Sequence, residues 1–461
     1  MSSGGADFGW ASVARLGLVQ ASLGSIVVLT TSTLNRIMVV ELSLPALLPG
    51  FLVALHYLVQ IARPRMGHGS DVGGRRTPWI VGGMAVLALG AMVASFATVL
   101  MASQRTAGIA LAVLGFVLIG AGVSASGTSL LVMLAKRVPD DRRGGAATLV
   151  WMMMIAGFAI TAGLAGKFLD PYGPERLIAV TATVCAAAWL LTLAAVHGLE
   201  KNPEARQPQE PVPATAVAPS RFRDALGEVW NEAAARQFTI FVFVSMLAYS
   251  AQDLILEPFA GTVFGFTPGA STQLAGVQHG GVLLGMLLVA GAGAVARRYK
   301  AHPVLSQVGS LRGWTIGGCI ASAIAMAGLV AGGLVGPDWP LKPTVFALGV
   351  ANGAFSIGAI GSMMRMASQG KAAREGVRMG MWGAAQAVAF GLGGLVGTGA
   401  SDAARWLVAS PGLAYAMVFA LESAMFLMSA WLAWSIKLPA AERRPGKSQP
   451  AIFTATASPA G

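Results

Sequence analysis

A small set of polar and ionisable residues interrupts long apolar stretches of this sequence, and these residues are the natural candidates for chemistry. An ionisable side chain inside a membrane-spanning helix costs roughly 2.5–3.5 kcal/mol on insertion scales, so its presence points to a functional role by default. The candidate set comprises Asn35, Arg36, Glu41, His56, Gln252, Asp253, Glu257 and His279.

The acidic members of this set suit proton or ligand chemistry. Asp253 and Glu257 stand four residues apart, on one face of a helix, with Gln252 adjacent. Carboxylates at this spacing carry a proton, accept hydrogen bonds from a substrate or ligate a hard cation through oxygen. Arg36 and Glu41 can neutralise each other, or Arg36 can neutralise its acidic counterparts in the later stretch. The alternative is that both lie at the water boundary and fix the depth of their helix.

The two histidines of the set, His56 and His279, occupy related places in the two halves of the sequence. A neutral imidazole is a good axial ligand for a metal held in a macrocycle, and it also serves as a proton relay or as a hydrogen-bonded packing residue. The sequence leaves these three roles open. Glu422, isolated in its own apolar stretch, supports no specific assignment.

Composition identifies the elements that must position these residues. Of the 461 residues, 55% are hydrophobic and only 11% are charged, and the mean hydropathy is +0.66. A soluble chain carries about a quarter charged residues to wet its surface. A water-soluble multidomain enzyme is therefore excluded, and an integral membrane protein is predicted. We find no phosphate-cradling glycine loop, no ligand spacing for a free metal ion and no nucleophile elbow, so we do not expect an enzyme.

The apolar stretches have the length of membrane-spanning helices. About 20 apolar residues in a helix cross about 30 Å of hydrocarbon, and backbone groups in lipid must bond within their own segment. Twelve stretches meet this requirement, which predicts an all-α integral membrane protein. They are 16–40, 46–62, 78–100, 107–135, 145–168, 177–197, 238–261, 273–296, 313–336, 343–366, 379–401 and 413–436.

Most of the 32 Lys and Arg residues lie in the loops that follow alternate spans, in the central segment and in the tail. By the positive-inside rule these regions are cytoplasmic, which places both termini in the cytoplasm and the protein in the cytoplasmic (inner or intracytoplasmic) membrane. The net charge of +12 is thus a topology signal, and it implies no nucleic-acid partner.

A proline-rich central segment divides the chain into two halves. Residues 221–236 within it have the apolar spacing of an amphipathic helix at the membrane surface, and a plain solvated connector is the alternative. The predicted parts are a cytoplasmic N-terminal segment (1–14), a six-helix bundle (15–197), a cytoplasmic linker (198–237), a second six-helix bundle (238–437) and a cytoplasmic tail (438–461).

An internal repeat supports this division. Arg143, Trp151, Gly163 and Gly166 recur 231 residues later as Arg374, Trp382, Gly394 and Gly397. Because the two copies run in the same direction across the membrane, the repeat is parallel.

The loop after the second span contains Gly67, Asp71, Gly74, Arg75 and Arg76. This spacing resembles the G-x-x-x-D-R-x-G-R-R signature of the major facilitator superfamily, with Val72 in the place of the first arginine. The resemblance implies two six-helix halves joined by a latch on the cytoplasmic face, which Val72 loosens.

Stretches 15–20, 34–42, 70–71 and 252–258 resemble the PucC-like bacteriochlorophyll delivery family within that superfamily. Stretches 55–57 and 71–76 are similar to the branch of this family that accompanies bacteriochlorophyll synthase. The resemblance implies an assembly factor that binds bacteriochlorophyll or a late chlorin precursor as cargo, with carotenoid or lipid as further ligands. The implied partners are bacteriochlorophyll synthase and light-harvesting or reaction-centre polypeptides.

For such a cargo, His56 and His279 are the predicted axial ligands of the chlorin magnesium. The Glu257 and Asp253 carboxylates are the next candidates. The predicted polar partners of the pigment are Asn35, Arg36, Glu41 and Gln252.

Two other functional classes fit the same residues. The first is a secondary transporter that is proton-coupled through Glu41, Asp253 or Glu257 and moves a small solute by alternating access. The second is a scaffold that holds its partners in the membrane and carries no pigment.

Overall fold

The computed structural model describes residues 8–62, 75–200, 222–299, 302, 308–369 and 375–436, and every regular element among them is helical. The helices of the first half are α1 (Trp10–Glu41), α2 (Leu47–Val59), α3 (Thr77–Leu100), α4 (Arg105–Arg137), α5 (Asp140–Leu169) and α6 (Pro174–Val196). A short linker helix, α7, runs over Phe222–Asn231. The second half comprises α8 (Ala233–Phe264), α9 (Pro268–Arg298), α10 (Leu311–Val335), α11 (Leu341–Gln369), α12 (Glu375–Leu407) and α13 (Pro411–Ser435).

Each of the twelve predicted spans overlaps one of these helices. Within the described residues, ten helices are long and apolar enough to cross a membrane, and α2 and α12 lie where the second and eleventh spans are predicted. The predicted all-α membrane fold is confirmed. Most helices extend beyond the apolar stretch at one or both ends because polar residues continue the helix into the interface.

The two halves have separate cores. Buried residues of α1–α6 form one apolar cluster, and buried residues of α7, α8, α10, α11, α12 and α13 form most of the other. The halves meet where α2 packs against α12, where α5 packs against α9, and where the second part of α1 packs against α8. We call the end of the bundle that carries the arginine-rich loops the basic face, and the other end the opposite face.

Glycines of the internal repeat lie at the two seams between the halves. A Cβ on Gly276 of α9 would lie 2.8 Å from the backbone N of Gly163 in α5. A Cβ on Gly50 of α2 would lie 3.2 Å from the carbonyl oxygen of Gly394 in α12. Gly163 and Gly394 are equivalent positions of the repeat, and each presents its backbone to a glycine of the other half. In the α5–α9 seam this backbone excludes a Cβ on Gly276, and in the α2–α12 seam the Thr398 side chain and the Gly394 carbonyl crowd a Cβ on Gly50.

The two repeated tryptophans do not share an environment. Trp382 is fully buried, with its ring 4.9 Å from that of Phe238 and its indole N–H donating to the carbonyl of Ala235 at 3.4 Å. Trp151, by contrast, is exposed. The first turns of α8 therefore cover one copy of the repeat, and the other copy lacks this cover.

The linker helix α7 packs on the second half. Val229 of α7 is fully buried in the core of that half, and Glu232, between α7 and α8, accepts hydrogen bonds at 2.8 to 3.1 Å from the guanidinium of Arg378 in α12. Two nitrogens of the buried Arg378 side chain donate to both oxygens of the carboxylate, which makes this a charge-assisted, bidentate contact.

Several predicted features lie outside the described residues. These are Gly67, Asp71 and Gly74 of the latch motif, the end segments 1–7 and 437–461, and linker residues 201–221. Of the remaining motif residues, Arg75 begins the segment that leads into α3, and Arg76 immediately precedes that helix.

The carboxylate of Glu200 accepts hydrogen bonds from the first backbone N–H groups of α3. The N–H of Arg76 lies 2.8 Å from Oε1, and the N–H of Thr77 lies 2.9 Å from Oε2. Burial alone would raise the pKa of this carboxyl, but the hydrogen bonds from Arg76 and Thr77 and the charge of Arg76 outweigh burial and lower it. Glu200 therefore caps α3 from the end of α6, as an anion at a helix N-terminus does.

This cap predicts a loss of stability in acid. Because the pKa of Glu200 is lower in the folded state than in the unfolded state, its stabilisation is complete above the unfolded pKa and disappears as the pH falls through the folded pKa. Glu200→Gln should lower the stability at pH 7 by about 1 kcal/mol and reduce the acid dependence. Thermal unfolding in detergent between pH 3 and pH 7 measures both effects, and an unchanged pH profile in the variant would refute the assignment.

The glycine seams predict a steric effect that depends on position. Gly276→Ala should destabilise the protein by about 1–3 kcal/mol because the added methyl group meets backbone atoms of α5. Gly280→Ala, one helical turn away on α9, is the matched control, since a Cβ there meets nothing within 4 Å and alanine favours the helix. Thermal unfolding of the two variants should separate them. Equal stabilities would contradict the close approach.

Candidate functional site

Two π-helical segments, Leu29–Thr33 and Ile37–Glu41, interrupt α1 and flank the short α-helical stretch that carries Asn35 and Arg36. A π-turn inserts one residue into the helical register and is frequent at functional sites. Here both side chains are directed at α8 and the turn after it. The sequence showed no signal for these turns.

Arg36 is only 3% exposed. Its guanidinium forms an ion pair with Glu41 and donates from Nη2 to the carbonyl of Phe266, in the turn between α8 and α9, at 2.6 Å. A Cβ on Gly261 of α8 would lie 2.9 Å from Nη2, so only glycine leaves room for the guanidinium. Arg36 is thus inside the bundle rather than at the water boundary, whereas Glu41 is 35% exposed and reaches that boundary.

Tyr172, in the loop between α5 and α6, lies close to this ion pair. Burial raises the pKa of its hydroxyl, the Glu41 carboxylate raises it further, and the Arg36 charge acts in the other direction. The Arg36–Glu41 pair therefore bonds to the α8–α9 turn and acts electrostatically on the α5–α6 loop.

Two further hydrogen bonds join α1 to the second half. The Asn35 amide donates to the carbonyl of Leu254 in α8 at 2.6 Å, and the hydroxyls of Thr33 and Thr272, in α9, lie 3.0 Å apart. All four residues are buried. Hydrogen bonds between buried groups in a bundle surrounded by lipid have no competing water, so these contacts fix α1 against α8 and α9.

Glu257 of α8 is 2% exposed, and neither of its carboxyl oxygens has a hydrogen-bond partner among the described residues. The charge of Arg36 acts on it electrostatically. Glu257 is therefore a second carboxyl that the same guanidinium can use. Asn35, Arg36, Glu41 and Glu257 form one group at the α1–α8 contact.

Asp253, one turn before Glu257, belongs to a different group. The amide of Gln278 in α9 donates to its Oδ1 at 3.2 Å, and Gln252 beside it is fully buried. Asp253 also interacts electrostatically with Glu422 of α13, a buried carboxyl whose two oxygens have no hydrogen-bond partner among the described residues. Glu422 is the site residue that sequence reasoning set aside, since nothing in its own stretch points to a partner.

His279 follows Gln278 directly on α9. Its Nδ1 lies 2.8 Å from the carbonyl of Ala275, and because a carbonyl only accepts, Nδ1 must carry the proton. The lone pair of the neutral ring is then on Nε2, and no described residue donates a hydrogen bond to it. The ring is partly exposed and packs edge-on against Phe158 of α5, with 4.9 Å between centroids.

His56, in α2, differs from His279 in its burial and in the hydrogen bond of its Nε2 atom. The side chain is 2% exposed, its Nε2 lies 2.9 Å from the amide nitrogen of Gln60, and its ring is 4.5 Å from that of Tyr57. An amide nitrogen only donates, so Nε2 of His56 accepts this bond and its lone pair is in use. The glutamine four residues after the histidine is a signal that the sequence does contain.

Phe158 links His279 to an apolar cluster that joins the two halves. Next to Phe158, an apolar cluster joins α5 to α9 and α11. Its members are Met152, Met154, Ile155, Leu283, Val282, Met286 and Ile357. A row of partly exposed rings also crosses from α2 to α12 and α8: Tyr57 to Phe390 at 5.7 Å, and Phe390 to Tyr249 at 6.0 Å. In the sequence these aromatic residues look like ordinary core residues, and their proximity becomes visible only in the folded structure.

The predicted site residues thus separate into three places. The first is the α1–α8 contact with Asn35, Arg36, Glu41 and Glu257, and the second is the α8–α9 group with Gln252, Asp253 and His279. His56 lies apart, between Gln60 and Tyr57. No group of three or more His, Cys, Asp or Glu residues suited to a free metal ion occurs within the described residues.

The profile of the PUCC protein family matches residues 33–440. The chain belongs to the PUCC protein family. Across 428 residues, this chain is 50% identical to the bacteriochlorophyll synthase 44.5 kDa chain of Rhodobacter capsulatus, with 93% of this chain and 96% of that one covered. Protein PucC of the same organism is 30% identical over 438 residues, 90% of each chain. The predicted family membership is confirmed.

Solved structures support the fold. A D-xylose-proton symporter has a TM-score of 0.66 at 14% identity, with 93% of this chain and 97% of the symporter covered. A bacterial homologue of the lysosomal transporter Spinster, in an inward-facing and occupied conformation, has a TM-score of 0.65 at 14% identity, with 92% and 95% covered. The major facilitator fold predicted for this PUCC protein is confirmed, and at these identities the likeness concerns the fold alone.

The two carboxyls around Arg36 predict a non-additive effect on stability. Glu41→Gln alone should cost about 1 kcal/mol, because Glu257 can ionise and take its place beside the guanidinium. Glu257→Gln alone should be close to neutral, since it replaces a carboxyl that lacks a partner. The double variant should cost about 3–5 kcal/mol, because it leaves Arg36 buried without a counter-charge.

Thermal unfolding of the two single variants and the double variant forms a complete double-mutant cycle. Glu175→Gln, an exposed carboxyl on the same face, is the control for a general charge effect. Strictly additive losses would show that Glu257 does not share Arg36 with Glu41.

Proposed function

We propose that this PUCC family protein takes part in the assembly of photosynthetic complexes. In this proposal it binds bacteriochlorophyll or a late chlorin precursor within the membrane and delivers it to light-harvesting or reaction-centre polypeptides, beside bacteriochlorophyll synthase. The names of its relatives support bacteriochlorophyll as the ligand, since the bacteriochlorophyll synthase 44.5 kDa chain is 50% identical to this protein. The protein acts as a carrier in the membrane and catalyses no reaction. Carotenoid and lipid are further candidate ligands.

The observation that carries this proposal is the state of His279. A metal-ligating histidine typically donates its other ring N–H to a carbonyl or carboxylate, which fixes the tautomer and orients the ring. His279 has this arrangement, with Nδ1 bound to the Ala275 carbonyl and Nε2 directed away from it. Nε2 is the axial ligand for the chlorin magnesium in this proposal.

The surroundings of His279 suit a large apolar ring. Phe158, the methionines of α5 and Met286 of α9 offer a polarisable, adaptable surface. Gln278 directly precedes the histidine on α9 and donates to the Asp253 carboxyl, and in this proposal these two polar groups serve the polar substituents of the macrocycle. His56, whose Nε2 accepts from Gln60, has a structural role in this proposal, and so do Asn35, Arg36 and Glu41.

The distribution of basic residues supports the orientation. With the basic face in the cytoplasm, both termini are cytoplasmic, and the protein lies in the cytoplasmic (inner or intracytoplasmic) membrane. The latch motif around Gly67, Asp71 and Gly74 would then join the two halves on the cytoplasmic side.

A proton-coupled transporter is the second candidate function, and the buried acids favour it. Asp253, Glu257 and Glu422 lie inside the second half, and the latter two have no hydrogen-bond partner among the described residues. Buried carboxyls of this kind carry protons in membrane transporters. Proton uptake into liposomes that depends on a solute and is abolished by Glu257→Gln would support this function over pigment delivery.

The two histidines provide the test of pigment binding. In protein purified from a pigment-making host in mild detergent, His279→Ala should lose most of the chlorin absorbance per mole of protein. His56→Ala, the matched control, should retain it where the protein remains monodisperse. Full absorbance in His279→Ala would remove this residue as the ligand, and the absence of a chlorin band in the unmodified protein would overturn pigment binding itself.

A further inference from the structure

Two aspartates outside the candidate site, Asp170 and Asp402, link the halves of the bundle on the opposite face. Asp170 immediately follows α5 and faces the beginning of α9. Its Oδ2 accepts from the hydroxyl of Thr267 at 2.6 Å, and its Oδ1 accepts from the N–H of Gly269 at 3.1 Å. One aspartate of the first half therefore caps a helix of the second half.

Asp402 makes the reciprocal contact. It lies in the last turns of α12, in the second half, and faces the beginning of α2 in the first half. Its Oδ1 accepts from the N–H of Ala46 at 3.0 Å, and its Oδ2 accepts from the N–H of Leu47 at 2.8 Å. The first N–H groups of a helix have no backbone partner inside that helix and carry partial positive charge, so each carboxylate satisfies donors that the helix itself leaves unpaired.

The two contacts occupy related places in the two halves, one residue apart in the register of the repeat. The internal repeat aligns Gly163 and Gly166 of α5 with Gly394 and Gly397 of α12, 231 residues later, and Asp402 falls 232 residues after Asp170. Each aspartate thus ends a seam that begins with a glycine contact: Gly163 against Gly276 in one, Gly394 against Gly50 in the other.

Three further hydrogen bonds between described residues of the two halves involve the second part of α1, which leads to the opposite face. Arg36 bonds to the α8–α9 turn, Asn35 bonds to α8, and Thr33 bonds to α9. On the basic face, in contrast, Arg15 bonds to the end of α6, and Arg312 bonds to the end of α13, each within its own half.

We propose that Asp170 and Asp402 form a second latch, distinct from the latch motif of residues 67–76. Its two halves hold the opposite face of the bundle closed, and both contacts must break for this face to open. Opening separates α5 from α9 and α2 from α12, which removes both carboxylates from the helix ends that they cap. A ligand in the site around His279 then exchanges by way of the basic face for as long as both contacts of the latch are intact. The latch does not depend on what the protein carries.

Distances between spin labels test the latch directly. The two cysteines of the chain, Cys185 and Cys319, are buried and can be replaced by alanine, which leaves a background free for labels. Labels at the exposed residues Ala102 and Asp338 report on the opposite face, and labels at Ala135 and Arg298 report on the basic face.

Asp170→Asn/Asp402→Asn should shift the Ala102–Asp338 distribution to longer distances and the Ala135–Arg298 distribution to shorter ones. Each single variant should shift them less, because the other contact of the latch remains. Glu175→Gln, an exposed carboxyl in the first turn of α6, is the matched control and should shift neither distribution. Distributions of the double variant that coincide with those of the unmodified protein would overturn the proposal.

A second measurement avoids purification. Thr33 is 1% exposed at the α1–α9 contact, so a cysteine there should react slowly with a maleimide in membrane vesicles. In the double aspartate variant the rate of labelling of Thr33→Cys should rise severalfold, whereas a labelling rate equal to that in the Glu175→Gln control would refute the latch. Pigment content is not involved in either measurement, so both remain valid if the proposed cargo is wrong.

Discussion

A guanidinium buried in a bundle that lipid surrounds must have acceptors and counter-charge supplied by the protein, because no water is there to supply them. Arg36 imposes this requirement, and much of the opposite face is built to meet it. Glu41 provides the charge, the Phe266 carbonyl provides an acceptor, and Gly261 leaves the space. The π-turns of α1 place the side chain where these groups converge. Arg36 is thereby one of the residues that hold the first half to the second, since its counter-charge comes from its own helix and its carbonyl acceptor comes from the other half.

The candidate ligand site depends on the same association of halves. His279 belongs to α9, but the ring that packs against it, Phe158, belongs to α5, and the methionine cluster spans both helices. Such a site exists only while α5 and α9 are in contact. Its shape is therefore set by the glycine seam, where Gly163 and Gly276 approach each other. Ligand binding and the packing of the halves are two consequences of one interface.

The fold could be predicted almost entirely from the sequence because the thickness of the bilayer fixes the length of every span and leaves only the helix ends open. The beginning of α8 is an example, since it starts at Ala233 and not at the first strongly apolar residues. The repeat was visible through Trp151 and Trp382, yet their different burial was not, because it depends on which helix covers each of them.

The candidate site was predictable in its residues but not in its geometry. Arg36 and Glu41 could be paired from their spacing, whereas the burial of Arg36 follows from π-turns that leave no pattern in the sequence. His56 and His279 differ in their hydrogen-bond partners, which are the side-chain amide of Gln60 and the backbone carbonyl of Ala275. Only Gln60 can be recognised in the sequence, because every residue has a backbone carbonyl. Asp170 and Asp402 were missed because a charged residue at the end of a span is ordinary, and its partner belongs to a distant helix.

The linker helix α7 has a consequence for any relative motion of the halves. Val229 and the Glu232–Arg378 pair attach it to the second half, and Glu200 attaches the other end of the connection to α3 in the first half. Only residues 201–221 remain between these two anchors, and a chain of that length reaches at most roughly 70 Å. Within that reach the covalent connection does not oppose a rocking movement, so the energy that opposes such a movement comes from the non-covalent seams.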